Sequence, residues 1–371
     1  MFNLVKIKRF DFSLFILTLF LIIIGLVLQY SLSLAGGSGS NNFVKQLIFF
    51  IIGLVLFFAV SFVDYRFIKS AVFLVYVLTI LFLIFTLFFG HVFRGVKGWL
   101  SFGGLNFQPA ELAKFTAIII LAKFWQESRK PIRVKHIIAS FVLIIPLIFL
   151  IFFQPDLGSA AMIVFLWGGI LLLIDENKKH ILGLLIIVIL ISLIGWFAFL
   201  KDYQKERIST YFSPSSDPLE RGYQITQSII AVGSGEILGR GFGLGPQSQL
   251  KFLPASETDF VFAVLAEEFG LVGGLFFLII YSLFLYRLIV VGRTVYDNFS
   301  LIAILGSAIY FFVQLIINVG MNIGLVPIVG VPLPFLSYGG SSLLVSLLTL
   351  GVIESIIIHQ PFTKYENMIT F

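Results

Sequence analysis

The chain has 371 residues, of which 59% are apolar and only 12% charged, against about 25% charged in a soluble domain. It has 44 phenylalanines, no cysteine and a formal net charge of +6. This excludes an ordinary cytosolic enzyme, a disordered chain, a nucleic-acid binder and any thiol or disulfide chemistry, because in so apolar a chain excess Lys and Arg orient membrane loops.

The composition predicts an all-α, polytopic membrane protein. A spanning helix needs roughly 20 mostly apolar residues, and ten stretches qualify: 11–30, 44–63, 70–90, 109–125, 136–153, 157–174, 181–200, 259–286, 300–319 and 337–358. The first follows a basic start, Lys6 to Arg9, and precedes Ser33-Leu34-Ala35, as a signal peptide would. Its apolar run of about 18 residues exceeds a secretory core and reads as a retained helix. Pro109 suits the first position of the fourth span, and Gln154-Pro155-Asp156 is a tight turn between the fifth and sixth.

In the short loops, Lys and Arg number 15 on one side and three (Lys45, Arg94, Lys97) on the other. That asymmetry places both termini in the cytoplasm. The whole chain, 1–371, reads as one membrane domain with two outer loops, about 91–108 and 201–258. The second, between helices seven and eight, is the longest, and a loop of that length usually carries function. Within it Gly222 to Leu238 reads as an interfacial helix, and Gly239 to Gly245 as a flexible turn.

Ionisable groups at membrane depth nominate sites by default. Glu111 and Lys114 sit three residues apart on one face of the fourth span. Asp156 opens the sixth. Asp259 opens the eighth, with Glu267 and Glu268 two turns deeper, and Gln314, Asn318 and Asn322 follow along the ninth. Structural roles stand beside each of these. Ser256-Glu257-Thr258-Asp259 fits a capping box, Glu111 suits a helix N-terminus, and Asp156 reads first as an N-cap. The paired glutamates and the amides read as interhelical contacts. The four histidines lack metal-ligand spacing. Glu111, Lys114, Asp156 and Asp259 all fall at outer ends of spans, which points to a polar cavity open to the outside that takes the head of an amphiphile.

The sequence resembles the RodA/FtsW (SEDS) family of peptidoglycan glycosyltransferases, somewhat closer to the RodA branch. The resemblance rests on Val63-Asp64-Tyr65-Arg66, Lys97-Gly98-Trp99-Leu100, Gln108-Pro109-Ala110-Glu111-Leu112-Ala113-Lys114 and Gln154-Pro155-Asp156-Leu157-Gly158. Farther on it rests on Gly222-Tyr223-Gln224-Ile225-Thr226-Gln227-Ser228, Thr258-Asp259-Phe260-Val261-Phe262 and Pro332-Leu333-Pro334-Phe335-Leu336-Ser337-Tyr338-Gly339-Gly340-Ser341-Ser342. These lie in family order from about 60 to 355. Leu253-Pro254-Ala255-Ser256-Glu257 departs from many relatives in the loop before the aspartate.

The resemblance implies polymerisation of lipid II into β-1,4 glycan with inversion, for elongation or division, in the bacterial cytoplasmic membrane with the site facing outside. It implies Asp259 as the catalytic base and Glu111, Lys114, Asp156 and Trp99 as substrate-binding residues. Lys97, Arg94, Arg221 and Arg240 are further candidates for the leaving diphosphate. One base suffices for inversion, unlike the paired carboxylates of a retaining glycosidase. No protein-held metal is expected, although Mg2+ or Mn2+ would suit the diphosphate. The implied partners are lipid II, membrane lipids and a class B penicillin-binding protein, with contacts through spans eight and nine, where Gly270, Gly273 and Gly274 permit close approach. A lipid II flippase and a non-catalytic scaffold are the alternatives. A flippase would want its polar groups at the midplane of a repeat.

Overall fold

The computed structural model describes residues 9–36, 38–93, 95–102, 105–127, 132–174, 177, 179–180, 183 and 221–360. The expected seventh span, 181–200, the first part of the long loop and Arg94 lie outside the described residues, apart from the single position 183.

In chain order come α1 (Phe12–Leu34), α2 (Ser38–Phe62), α3 (Tyr65–Phe89), β1 (His91–Phe93), β2 (Val96–Phe102), β3 (Leu105–Phe107), α4 (Pro109–Trp125), α5 (Val134–Phe153) and α6 (Leu157–Ile174). Then come α7 (Arg221–Ser234), α8 (Pro246–Gln249), α9 (Val261–Thr294), α10 (Asn298–Asn322) and α11 (Gly340–His359). Among the described residues, eight helices are long and apolar enough to cross a membrane: all but α4, α7 and α8. The fold is that of an all-α polytopic membrane protein. Helix α4 has 17 residues and begins at Pro109, as its sequence requires.

Caps outside the apolar runs set several starts. Asp11 accepts from Leu14 N at 3.0 Å, Asp64 from Arg66 N at 2.9 Å and Asp297 from Ser300 N at 3.2 Å. Each satisfies an amide that a helix terminus leaves unpaired. The Asp64 cap lets α3 begin five residues before the apolar run at 70. Helix α11 is buried along almost its whole length and stands at the centre with α4 and α10, whereas α2, α3 and α5 turn Ile51, Val55, Phe73, Phe88 and Phe149 outward. In a bilayer that outward apolar surface meets lipid.

Two expectations need correction. The outer loop 91–108 is an antiparallel three-stranded meander, β1-β2-β3, with Val92 opposite Lys97 and Leu100 opposite Phe107. Lys97 N donates to Gln154 O at 3.2 Å, tying β2 to the α5–α6 turn. The eighth span is not continuous either: α9 breaks at Gly270, where φ is 66° and ψ is −164°. The freed carbonyls of Glu267 and Glu268 accept from Arg240 N (2.9 Å) and Gly241 N (3.0 Å). The freed amides of Leu271 and Val272 donate to Glu236 O (2.9 Å) and Ile237 O (3.1 Å). Segment 236–241, where the expected interfacial helix 222–238 was to run into the expected flexible turn 239–245, is thus a strap that completes the broken helix.

At the opposite end of the bundle, Asp11 pairs with Arg287 at 2.8 Å and donates its amide to buried Glu354 at 2.7 Å. Asp297 caps α10 and meets Lys69 at 3.4 Å and the Tyr65 hydroxyl at 3.2 Å. Burial pushes the Asp297 carboxyl up, but Ser300, Lys69 and Tyr65 outweigh it and the net effect is downward. A lowered folded-state value stabilises above the ordinary carboxylate range, and that contribution is lost as pH falls through the lowered value. The melting temperature in detergent is expected to fall on acidification below about pH 4, with a shallower fall for Asp297→Asn.

Candidate active site

Asp259 sits in the turn 254–260, partly exposed, just before α9. The expected capping box is absent. Helix α9 starts at Val261, its N-cap is Phe260, and no side chain of its own caps it. Thr258 N and Phe260 N both return to Ala255 O, at 3.0 and 3.3 Å, which closes the turn before the helix begins. Asn322 of α10 takes over the capping, its Oδ1 accepting from Ala263 N at 2.9 Å.

The rest of the turn is held through its main-chain carbonyls. Glu257 O accepts from Gln29 Nε2 of α1 (2.9 Å) and from Tyr338 N (2.7 Å). Thr258 O accepts from Ser337 Oγ at 2.6 Å, and Ser337 Oγ accepts from Leu333 N at 2.8 Å. Asp259 O accepts from Asn318 Nδ2 and Asn322 Nδ2, both at 3.0 Å. The segment Pro332–Gly339 is thereby a brace for the turn. Gln46 of α2 fixes it from behind, donating to Ser337 O and accepting from Gly339 N, each at 3.2 Å. Burial, with the Glu257 charge beside it, pushes the Tyr338 hydroxyl up and keeps it protonated.

Glu111 and Lys114 form an ion pair of 2.7 Å, 3% and 1% exposed. Lys114 Nζ also lies 6.0 Å from the centre of the Tyr310 ring, and buried Gln314 sits one turn along α10. The pair is buried where α4 packs against α10. Asp156 caps α6 by accepting from Ser159 N at 2.9 Å, and its other oxygen accepts from Gln108 Nε2 at 2.9 Å. Gln108 N donates to Ser341 Oγ at 2.8 Å. These contacts join the starts of α4, α6 and α11.

The remaining candidates scatter. Lys97 Nζ donates to Phe88 O at 3.3 Å, and Trp99 is half-buried on β2. Arg240 is 47% exposed, 3.7 Å from Glu236. Arg221 opens α7, and its side chain lies outside the described set. Glu267 accepts from Gln247 N and Ser248 N (2.7 and 3.1 Å), and Glu268 from Ser31 Oγ of α1 and Gln249 Nε2, so both acids serve packing. The sequence reading missed Gln29, Gln46, Gln108 and Ser337. Amides inside apolar spans are costly enough to have signalled the first two.

Residues 12–361 match the FtsW/RodA/SpoVE family profile, described as cell cycle protein. The chain belongs to this family. It is similar to peptidoglycan glycosyltransferase MrdB of Escherichia coli (strain K12), 35% identical over 92% of this chain and 93% of that one. Its fold superposes with a TM-score of 0.80 on a chain from a structure titled structural coordination of polymerization and crosslinking by a peptidoglycan synthase complex, at 30% identity over 94% of this chain and 97% of the other. Thermus thermophilus rod shape determining protein RodA superposes at 0.70, with 26% identity over 95% and 98% of the two chains.

For this FtsW/RodA/SpoVE member the buried pair makes a sharp prediction. Removing one partner of a buried ion pair leaves an uncompensated charge and costs about 3–5 kcal/mol. Lys114→Met is therefore expected to lower the unfolding free energy by that amount and the melting temperature with it. Glu111→Leu on the same background should restore most of it, as read by thermal unfolding in detergent.

Proposed function

We propose that the chain polymerises lipid II as a peptidoglycan glycosyltransferase, with Asp259 as the base that takes the proton of the attacking 4-hydroxyl. The observation that carries this reading is the turn of Asp259: its carbonyls are pinned to three other parts of the fold, which leaves a partly exposed carboxylate at the end of the bundle that bears the small sheet. MrdB, which aligns over nearly the whole chain, is named for this activity.

The donor sugar is α-linked and the product β-linked, so one in-line displacement inverts the anomeric carbon. The acceptor oxygen bonds to that carbon, the bond to undecaprenyl diphosphate breaks, and the acceptor proton passes to Asp259. Fixed positive charge must meet the departing diphosphate. Arg240 is an exposed cation of the long loop, and Lys97 lies on the same loop as Arg94. Lys114 and Glu111 act from beneath, Asp156 and Gln108 fix the turn facing β2, and Trp99 offers an aromatic face to a sugar. Arg221 stays a candidate by position alone. Among the described residues no three His, Asp or Glu side chains gather to cage a cation. Mg2+ or Mn2+, if required, would rest on the diphosphate oxygens, and chelation in the assay reads that requirement.

The basic short loops orient the sheet-bearing end toward the outside of the bacterial cytoplasmic membrane. A class B penicillin-binding protein, through its single membrane helix, is the proposed partner. Leu275, Leu278, Ile279, Ser282, Leu283 and Tyr286 of α9 line an outward groove for it. Of the glycines expected to form that contact, Gly270 meets the strap and Gly274 is buried, while Gly273 is partly exposed.

The test is polymerisation by the purified protein. Lipid II should become a ladder of glycan chains, and a class B transpeptidase should raise the yield. The transport reading is separated by reconstitution. Protein that moves lipid II across vesicles and makes no glycan overturns the enzyme, and protein that does neither alone nor with its partner leaves only the scaffold.

A further inference from the structure

Helix α10 carries amides at Gln314, Asn318 and Asn322, one turn apart on a single face, and all are buried. The upper two share a task. Asn322 Nδ2 donates to Asp259 O and to Asn318 O (3.0 and 2.8 Å), and its Oδ1 accepts from Ala263 N. Asn318 Nδ2 donates to Asp259 O and to Val331 O (3.0 and 2.9 Å). Asn322 O itself accepts from Ser228 Oγ of α7 at 2.8 Å, so the end of α10 is fixed from the loop side as well.

With Glu257 O and Thr258 O also held, three successive peptide groups of the turn cannot rotate without breaking part-buried hydrogen bonds. The clamp acts on the main chain of Asp259, so the place of its carboxylate is set by side-chain torsions about a fixed backbone. A carboxylate on a fixed backbone samples a few staggered positions. One on a loose turn sweeps a volume in which most positions miss the acceptor hydroxyl.

We propose that Asn318 and Asn322 are positioning residues for Asp259: they hold its main chain from below so that its carboxylate meets the sugar hydroxyl at proton-transfer distance. Ser337 does the same for the preceding residue. The inference rests on the assignment of Asp259 as base. It gives a chemical duty to amides that would otherwise serve only to pack helices.

Loss of a positioning group lowers turnover and leaves substrate affinity in place. Misplacement of a reacting group by about 1 Å costs on the order of 100-fold. The experiment measures kcat and KM for lipid II on Asn318→Ala, Asn322→Ala, Ser337→Ala and Ser337→Thr, with the unfolding midpoint of each. The expected result is a kcat lower by about 10- to 100-fold for the three alanine variants, with KM near the parent's at temperatures where each is folded. Ser337→Thr, which keeps the hydroxyl, should recover most of the rate lost in Ser337→Ala. If an amide variant does not fold, the serine pair decides by the same readout. Folded variants with parental kcat, or a serine pair that loses rate equally, overturn the proposal. Asp259→Asn run alongside separates the two readings. If it is inactive while the folded amide variants keep full kcat, the clamp alone falls. If it polymerises at the parental rate, the base assignment falls and the clamp with it.

Discussion

Asp259→Asn is expected to fold, reach the membrane and make no measurable glycan. The substitution keeps the size of the side chain and the backbone on which the clamp acts. Its carbonyl still accepts from Asn318 and Asn322, and α9 is still capped by Asn322. Stability should therefore change little, while a neutral amide cannot take the proton of the attacking hydroxyl. General-base catalysis supplies about 10²–10⁴-fold, and in a site that uses one carboxylate for inversion no second base replaces it. The measurement is the rate of chain formation on purified lipid II, normalised to protein with a parental melting curve. A carrier or a scaffold would show parental lipid movement or complex formation with this variant and no rate to lose. A folded variant that still polymerises at the parental rate would remove Asp259 from the chemistry.

What the sequence disclosed follows from the range of the interactions. Hydropathy depends on each segment alone, so α1 to α6 appear within a few residues of their expected places. Asp156 reads as a cap because its partner is Ser159, three residues along. The residues that hold the Asp259 turn are far apart in the chain. Gln29 reaches Glu257 and Ser337 reaches Thr258 across 228 and 79 positions, and no local pattern encodes such pairs. Asn318 and Asn322 were visible as costly amides in an apolar helix, but their common acceptor was not. The burial of Lys114 was equally hidden, because spacing from Glu111 fixes the pair and only α10 packing over it closes the site. The meander at 91–107 was within reach of the alternation in Val96-Lys97-Gly98-Trp99-Leu100, which the glycines around it obscured.

Gly270→Ala is expected to destabilise the fold strongly. With φ at 66° and ψ at −164°, this residue occupies a region open essentially only to glycine, and holding any other residue there costs about 1–3 kcal/mol. An added Cβ would stand 2.4 Å from Gly239 N and 2.5 Å from Ile237 O, both backbone atoms that cannot swing aside. Relief requires lifting the 236–241 strap, which unpairs the carbonyls of Glu267 and Glu268 and the amides of Leu271 and Val272. At membrane depth an unpaired backbone group costs several kcal/mol. The alternative is a straightened α9 that pairs those groups internally. That would swing the half of the helix nearest Asp259 off its seat, with Glu267 drawn from the Gln247 and Ser248 amides. Both routes cost stability, by roughly 4 kcal/mol or more, and the second also misplaces the turn that carries Asp259. Thermal unfolding in detergent reads the first effect. Tryptic cleavage at Arg240, where the chain lies against the break, reads the second. Gly239→Ala, whose Cβ would meet Glu268 O at 2.2 Å, should reproduce the loss from the strap side. A parental midpoint with protected Arg240 in both variants would mean that the strap does not support the helix.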